Sequence, residues 1–239
     1  MTTRRKLARG LAVLAGLACM SSAALAQSQC VIPQALPKGR ALVPPPGETV
    51  IAPLTGHILV LSWSPQFCKV NGDDKKNATQ CGGSNTFGFV LHGLWPDGEG
   101  RKDPQWCKRV PAVSPEVMKE YFCATPSASL MQHEWAKHGS CVESDSGRYF
   151  RAANRAYAAL KFPDMDTLSR SQTSVGALTA AFVATNPGLT ADMLRVNLTQ
   201  LGWLEDVRIC LGTDYRPKSC PRDIGGASAD TRLKIWPAR

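Results

Sequence analysis

Phe87-Gly88-Phe89-Val90-Leu91-His92-Gly93-Leu94-Trp95-Pro96-Asp97 carries an apolar run straight into a histidine and a glycine–proline turn signal. Phe87–Leu91 reads as a strand, and Gly93–Pro96 as the sharp turn that ends it. This leaves His92 at the end of a central strand, a position from which a side chain can do chemistry. A second strand candidate, His57-Ile58-Leu59-Val60-Leu61-Ser62-Trp63, lies upstream and is closed by Pro65. Between the two, residues 69–84 are polar, contain Gly72, Gly82 and Gly83, and read as a loop bracketed by Cys68 and Cys81.

Downstream the patterning turns helical. Ser114-Pro115-Glu116 is a helix start, with a capping residue followed by proline at the first helical position. Val117, Met118, Tyr121 and Phe122 follow at helical spacing. Residues 129–138 read as a second helix stopped by Gly139, residues 148–161 as a third, and residues 174–185 and 190–200 as two more, each near a Ser or Thr cap. Glu205–Cys210 and Arg232–Trp236 read as late strands. With no internal repeat and no long linker, the pattern predicts a single α+β domain.

The 239 residues are enough for one well-packed core. The start of the chain is set apart. Arg4, Arg5, Lys6 and Arg9 precede a short apolar run, Leu11–Met20, and Ala24-Leu25-Ala26 fits a small-residue cleavage signal. Residues 1–26 therefore read as a secretory signal peptide, because the apolar run is too short to span a bilayer comfortably. Residues 27–56, with Pro44-Pro45-Pro46-Gly47, read as a proline-rich extension along the surface of a catalytic domain at 57–239.

Cleavage after Ala26 removes four positive charges and takes the formal net charge from +9 to +5. That balance is compatible with a polyanionic substrate without demonstrating one. Cleavage also removes Cys19, leaving eight of the nine cysteines, an even number that in an exported chain suggests four disulfides. No CxxC pair occurs, so the spacing does not suggest zinc.

Three of the four histidines lie in two clusters. One is His92 with its turn. The other is His133-Glu134-Trp135-Ala136-Lys137-His138-Gly139-Ser140-Cys141. On a helix, His133 neighbours Lys137 and Glu134 neighbours His138. Two imidazoles, a carboxylate and an ammonium then converge. Histidine exchanges protons near neutral pH, lysine stabilises charge on phosphoryl oxygens, and a carboxylate holds an imidazole in a chosen orientation and protonation state. The zinc-protease signature HExxH fails, because the fifth position is Lys137 and His138 falls one residue late, turned away from His133. His57 has no such neighbours and reads as structural.

Together the two clusters resemble the active-site segments of the ribonuclease T2 family, HGLWP and HExxKHGxC, which are complete at His92–Pro96 and His133–Cys141. Ser62-Trp63-Ser64-Pro65-Gln66-Phe67-Cys68 is similar to the family's early strand end, and Val207-Arg208-Ile209-Cys210 resembles a late family strand. The likeness runs from about Leu59 to Cys220. It implies an α+β fold, with a central antiparallel sheet packed by several helices and stapled by disulfides. It further implies an endoribonuclease acting on single-stranded RNA without metal or other cofactor.

In that reading His138 is the base on the ribose 2′-OH and His92 the acid toward the leaving 5′-oxygen. Glu134 and Lys137 stabilise the phosphorane, and His133 holds the phosphate. Trp95 and Asp97 match a base pocket, and because stacking tolerates any base the expected specificity is broad. The products would be 2′,3′-cyclic phosphates and then 3′-phosphates, and DNA, lacking the hydroxyl, would not be cut. Cys68–Cys81 and Cys210–Cys220 are expected pairs. Cys141 pairs with Cys107 or Cys123, family precedent favouring Cys107, and Cys30 takes the remaining cysteine. The expected protein is a periplasmic or secreted monomer, free of the membrane once the signal is removed.

Overall fold

A computed structural model describes residues 29–221 and 223–238. The expected signal peptide and Cys19 lie outside the described residues. In chain order the elements are β1 (Leu54–Trp63), α1 (Ser64–Asn71), α2 (Ala78–Cys81), β2 (Phe89–Gly98), α3 (Pro115–Tyr121) and α4 (Ala128–Glu134). One wide helical turn (Trp135–Gly139) then leads into α5 (Ser140–Val142) and α6 (Ser146–Ala158). After α7 (Met165–Arg170) come β3 (Thr173–Ser174), α8 (Val175–Thr185), β4 (Leu194–Leu198), β5 (Leu204–Leu211) and β6 (Arg232–Leu233). The fold is α+β, as expected from the sequence. Its four-stranded sheet has the order β2-β1-β5-β4, every pair antiparallel.

One face of the sheet is the core. Leu59, Leu61 and Trp63 of β1, Phe89, Leu91 and Leu94 of β2, and Val207, Ile209 and Leu211 of β5 pack under Met118, Met131, Trp135, Tyr149 and Phe182 from the helices. Ile58, Val60 and Cys210 form a small cluster on the opposite face, with Trp95 and Cys220 against it. Among the described residues no helix is long and apolar enough to cross a membrane.

β2 departs from the sequence expectation. It does not turn at Gly93–Pro96 but runs on to Gly98. The register slips between Val60 and Leu61, whose partners are Gly93 and Leu91, so His92 is an extra residue in a bulge. Side chains alternate along a strand, so Leu91 and Leu94 could not otherwise share the core face. The bulge puts both in the core and leaves His92 and Gly93 on the other side. Pro96 is tolerated because β2 is an edge strand.

The outer edge of β2 is covered. The Tyr149 hydroxyl donates to the Leu94 carbonyl and accepts from the Leu94 N–H, both at 3.1 Å. Tyr157 donates to Phe89 O, Thr125 donates to Leu91 O, and Leu91 N–H donates to Ala124 O. Side chains and a turn thus satisfy the groups that a bare edge would offer to another chain.

Four other expectations need correction. Residues 190–200 are not a helix. A single tight turn at Ala191–Met193 leads into β4, where Leu194 and Val196 are buried and Arg195 and Asn197 are not, the alternation of a strand. Thr190 marks only that turn. Residues 69–84 contain helical turns, since α1 runs to Asn71 and α2 carries Cys81. The helix expected to stop at Gly139 continues through the wide turn to Val142. The late strand near the C-terminus shortens to Arg232–Leu233, paired with β3.

Residues 29–53 carry no helix or strand. Backbone pairs at Gln29–Thr86 and Val50–Gln105 and the Cys30–Cys123 disulfide tie them down. The other disulfides are Cys68–Cys81, Cys107–Cys141 and Cys210–Cys220.

The double bond from Tyr149 to Leu94 makes a stability prediction. Tyr149→Phe should destabilise the fold by about 1–3 kcal/mol for each buried backbone group it strands. The shift of a urea unfolding midpoint reads this directly, and a change within about 0.5 kcal/mol, the ordinary surface-substitution range, would show that the edge is held by other means.

Candidate active site

The two histidine clusters meet at the bulge. α4 packs along β2 and lowers Glu134 onto Gly93. A methyl group at residue 93 would collide with Glu134 Oε2, so only glycine leaves room for the carboxylate. Glu134 is 1% exposed. Its Oε2 accepts from the Trp95 indole N–H at 2.8 Å, and its Oε1 lies 3.4 Å from His92 Nε2. The other ring nitrogen of His92 is 2.9 Å from the Ser62 hydroxyl on β1. His92 keeps 33% of its side chain open to solvent.

His138 sits on the far side of Trp95. Its ring stacks on the indole with centroids 5.2 Å apart, while His92 meets the same indole edge-on at 5.5 Å. His138 is 7% exposed, and its Nδ1 is buried without a hydrogen-bond partner.

The two imidazoles have opposite tendencies. Burial works against a charge on His92, but the hydrogen bond and charge of Glu134, with Asp206 adding, outweigh it and hold its pKa above the ordinary 6.5. Arg208 subtracts a little. Burial pushes His138 down to about 4, against the pull of Glu134 and with Lys137, His133 and His92 adding to the fall. Burial alone would raise Glu134, yet the bond to His92 and the charges around it leave it lower than an ordinary carboxyl. The site therefore biases His92 toward its protonated form, while at neutral pH Glu134 is ionised and His138 neutral.

His133 and Lys137 complete the group. Both are half-buried, and His133 lies edge-on to Trp106 at 5.6 Å, with its pKa lowered by burial. The wide turn brings them in. Ser140 N–H reaches back to the Trp135 carbonyl, five residues earlier, so the spacing that defeats HExxH on a regular helix works here. Gly139 ends nothing. It is where Trp135 and Tyr149 close in, 2.5 and 2.8 Å from where its Cβ would stand.

The turn is clamped from outside. Trp106 N–H donates to the Lys137 carbonyl at 2.6 Å, and the next residue, Cys107, is bonded to Cys141. Trp106 adopts φ 53°, a left-handed backbone that costs a bulky residue energy and persists only where its surroundings impose it.

The structure thus brings together His92, Trp95, His133, Glu134, Lys137 and His138. Asp97 stands apart, buried and paired with Lys218 at 3.1 Å. His57 is also elsewhere, buried and stacked on Tyr215 at 4.5 Å. Three neighbours were not singled out as site residues from the sequence: Ser62, Asp206 and Arg208. Ser62 and Arg208 lie inside family-like segments, but only strand pairing shows that they face His92. The site lies at the β2 edge of the sheet, against α4 and the wide turn. A cavity of about 710 Å³ lies away from it, between α8 and Gly225–Ala229. Among the described residues no group of three or more His, Cys, Asp or Glu side chains could hold a metal ion.

The ribonuclease T2 family model matches residues 55–173. A probable ribonuclease of Haemophilus influenzae is 36% identical over 137 residues, 53% of this chain and 50% of that protein. A ribonuclease of Aeromonas hydrophila is 41% identical over 85 residues, 36% of each chain. The chain thus spans half or less of the length of these two relatives. Among solved structures, trichomaglin, an S-like ribonuclease, superposes with a TM-score of 0.62 at 16% identity, over 78% of this chain and 98% of its own, which shows the shared fold. Family model, relatives and fold agree, and the chain belongs to the ribonuclease T2 family.

Proposed function

We propose that this chain is an endoribonuclease that cleaves single-stranded RNA by acid–base transphosphorylation. The observation that carries the reading is the pair of imidazoles gathered at Trp95 beside one buried carboxylate, His92 bonded to that carboxylate and held toward its protonated form, His138 stacked on the indole and driven by burial toward its neutral form. His138, neutral, takes the proton of the ribose 2′-OH, and the freed oxygen forms a bond to the adjacent phosphorus. The bond from phosphorus to the 5′-oxygen breaks, and His92 supplies that oxygen with its proton. The product is a 2′,3′-cyclic phosphate, which water then opens to a 3′-phosphate with the histidine roles reversed.

No metal is needed to make the nucleophile, because the 2′-OH already sits beside its phosphate. Lys137 and His133, the half-buried basic groups, hold the phosphate oxygens. Glu134 is sealed from solvent, so it acts through His92 as a positioning residue and does not touch the phosphorane. Trp95 is engaged by Glu134 and His138, and Asp97 by Lys218, which limits their contact with a base and supports broad base specificity. The four disulfides support a periplasmic or secreted location.

The direct test is cleavage of a short single-stranded RNA by the oxidised protein in excess EDTA, with mass analysis of the ends. Termini carrying 2′,3′-cyclic phosphate are expected, and the matching DNA should survive. No cleavage, or 5′-phosphate termini, would refute the reading.

The pH dependence of kcat/KM should be bell-shaped. Its acid limb falls near pH 4, as His138 becomes protonated, and its alkaline limb lies above 6.5, as His92 loses its proton. A rate that is constant from pH 3 to 9 would exclude this pair.

Gly93→Ala displaces the Glu134 carboxylate. A shift of about 1 Å costs on the order of 10²-fold in rate, so kcat should fall by at least that much while the disulfides still form. Unchanged turnover would mean that Glu134 is not needed where it stands.

A further inference from the structure

Arg208 is a cation beside the site that the mechanism above leaves unused. It lies on β5, directly across from Val60, and Val60 is directly across from Gly93, so one rung of the sheet joins Arg208 to the bulge. Two strand spacings separate them, roughly 10 Å. Its guanidinium reaches diagonally across β1 toward the neighbouring rung, where Ile58 faces Trp95, and lies over the Trp95 ring, 5.1 Å from the centroid. The Nε donates to Asp206 Oδ1 at 3.1 Å, and the Asn197 side chain holds that same oxygen at 2.7 Å. Asp206 is itself directly across from Ser62, the partner of His92.

Only one of the five guanidinium N–H groups is used in this way. Neither Nη has a hydrogen-bond partner among the described residues, although the side chain is only 26% exposed. The neighbouring Arg195 behaves differently, donating to the carbonyls of Asp192, Leu194 and Cys220. Arg208 is therefore fixed at its Nε and left open at its fork, next to a histidine that must itself carry positive charge. An arrangement that places two cations together and leaves one donor pair empty suits an anion arriving from outside. The planar fork matches a phosphate bidentately.

The side from which Arg208 comes decides which phosphate. His133, Lys137 and His138 approach from α4 and the wide turn, beyond the β2 edge. Arg208 approaches from the interior of the sheet, across β1. The cleaved phosphate must lie by the helix cations and the two imidazoles. A strand continuing from there across the sheet face carries its next phosphate over Trp95 toward Arg208.

We infer that Arg208 is a substrate-positioning residue whose two free Nη groups hold the RNA phosphate adjoining the one that is cleaved, with Asp206 and Asn197 fixing the guanidinium. This rests on the ribonuclease reading and adds a subsite to it. The site is then built for a chain with a phosphate on at least one side of the cut.

Kinetics on two substrates test it, a dinucleoside monophosphate, which has only the cleaved phosphate, and a tetranucleotide, which has neighbours. A lost charge-assisted contact is worth about tenfold, so Arg208→Gln should lower kcat/KM about tenfold more for the tetranucleotide than for the dinucleotide, through KM. Arg208→Lys keeps the charge without the fork and should recover part of that difference. It also carries the comparison if the glutamine variant folds poorly.

Binding of a 2′-O-methyl tetranucleotide, which cannot be cleaved, followed by tryptophan fluorescence, should weaken in the same order and lose part of its salt dependence. Losses by the same factor on both substrates, whether small or large, would overturn the inference. Wild-type protein that cleaves neither substrate would instead refute the ribonuclease reading, and the binding series would still report on Arg208.

Discussion

The Glu134 carboxylate is buried against the edge of a sheet and bonded by an indole N–H and an imidazole. An ionised carboxylate out of water is costly unless it is paired and hydrogen-bonded. Here the pairing is with His92 and Trp95. The charge that burial makes expensive is offset by a proton on His92, and the same burial strips one from His138. The carboxylate and the burial around it thus give two chemically equal side chains opposite tendencies, and without the carboxylate burial would lower both.

Much of the surrounding backbone serves that placement. The bulge at His92 turns the imidazole and Gly93 away from the core while Leu91 and Leu94 stay inside it. The missing side chain at Gly93 is the seat of the carboxylate. The wide turn after α4 lets Lys137 and His138 share a site with Glu134, and Trp106 and the Cys107–Cys141 disulfide hold that turn from outside. Trp106 does so with a left-handed backbone, a cost of about 1–3 kcal/mol. Tyr149 links the two halves: its hydroxyl closes the β2 edge and its ring packs at Gly139, where a β-carbon would collide with it.

The fold class and the residues that gather at the bulge were legible in the sequence because both rest on local signals. The apolar run at His57–Trp63 stays nearly continuous, Glu205–Cys210 sets Val207 and Ile209 among polar residues, and the Ser114 cap announces α3. The failures have a common cause. Gly93, Pro96 and Gly139 read as punctuation, since glycine and proline usually end elements. Here each glycine is required by a close approach from a distant residue, and Pro96 is tolerated only because its strand is at an edge. Residues 190–200 carry a cap signal and helical composition, but pairing with β5 decides their conformation. Ser62, Asp206 and Arg208 could not be found as site residues, because no local pattern says which face of a strand meets His92.

The split between the two histidines has two sources: the Glu134 carboxylate holds His92 up, and burial drives His138 down against that carboxylate's pull. The most direct test of that split is an NMR titration of the imidazole ring signals in the folded protein, assigned by single His substitutions. His92 should titrate above 6.5 and His138 near about 4. Two histidines titrating together near 6.5, or in the reverse order, would contradict it.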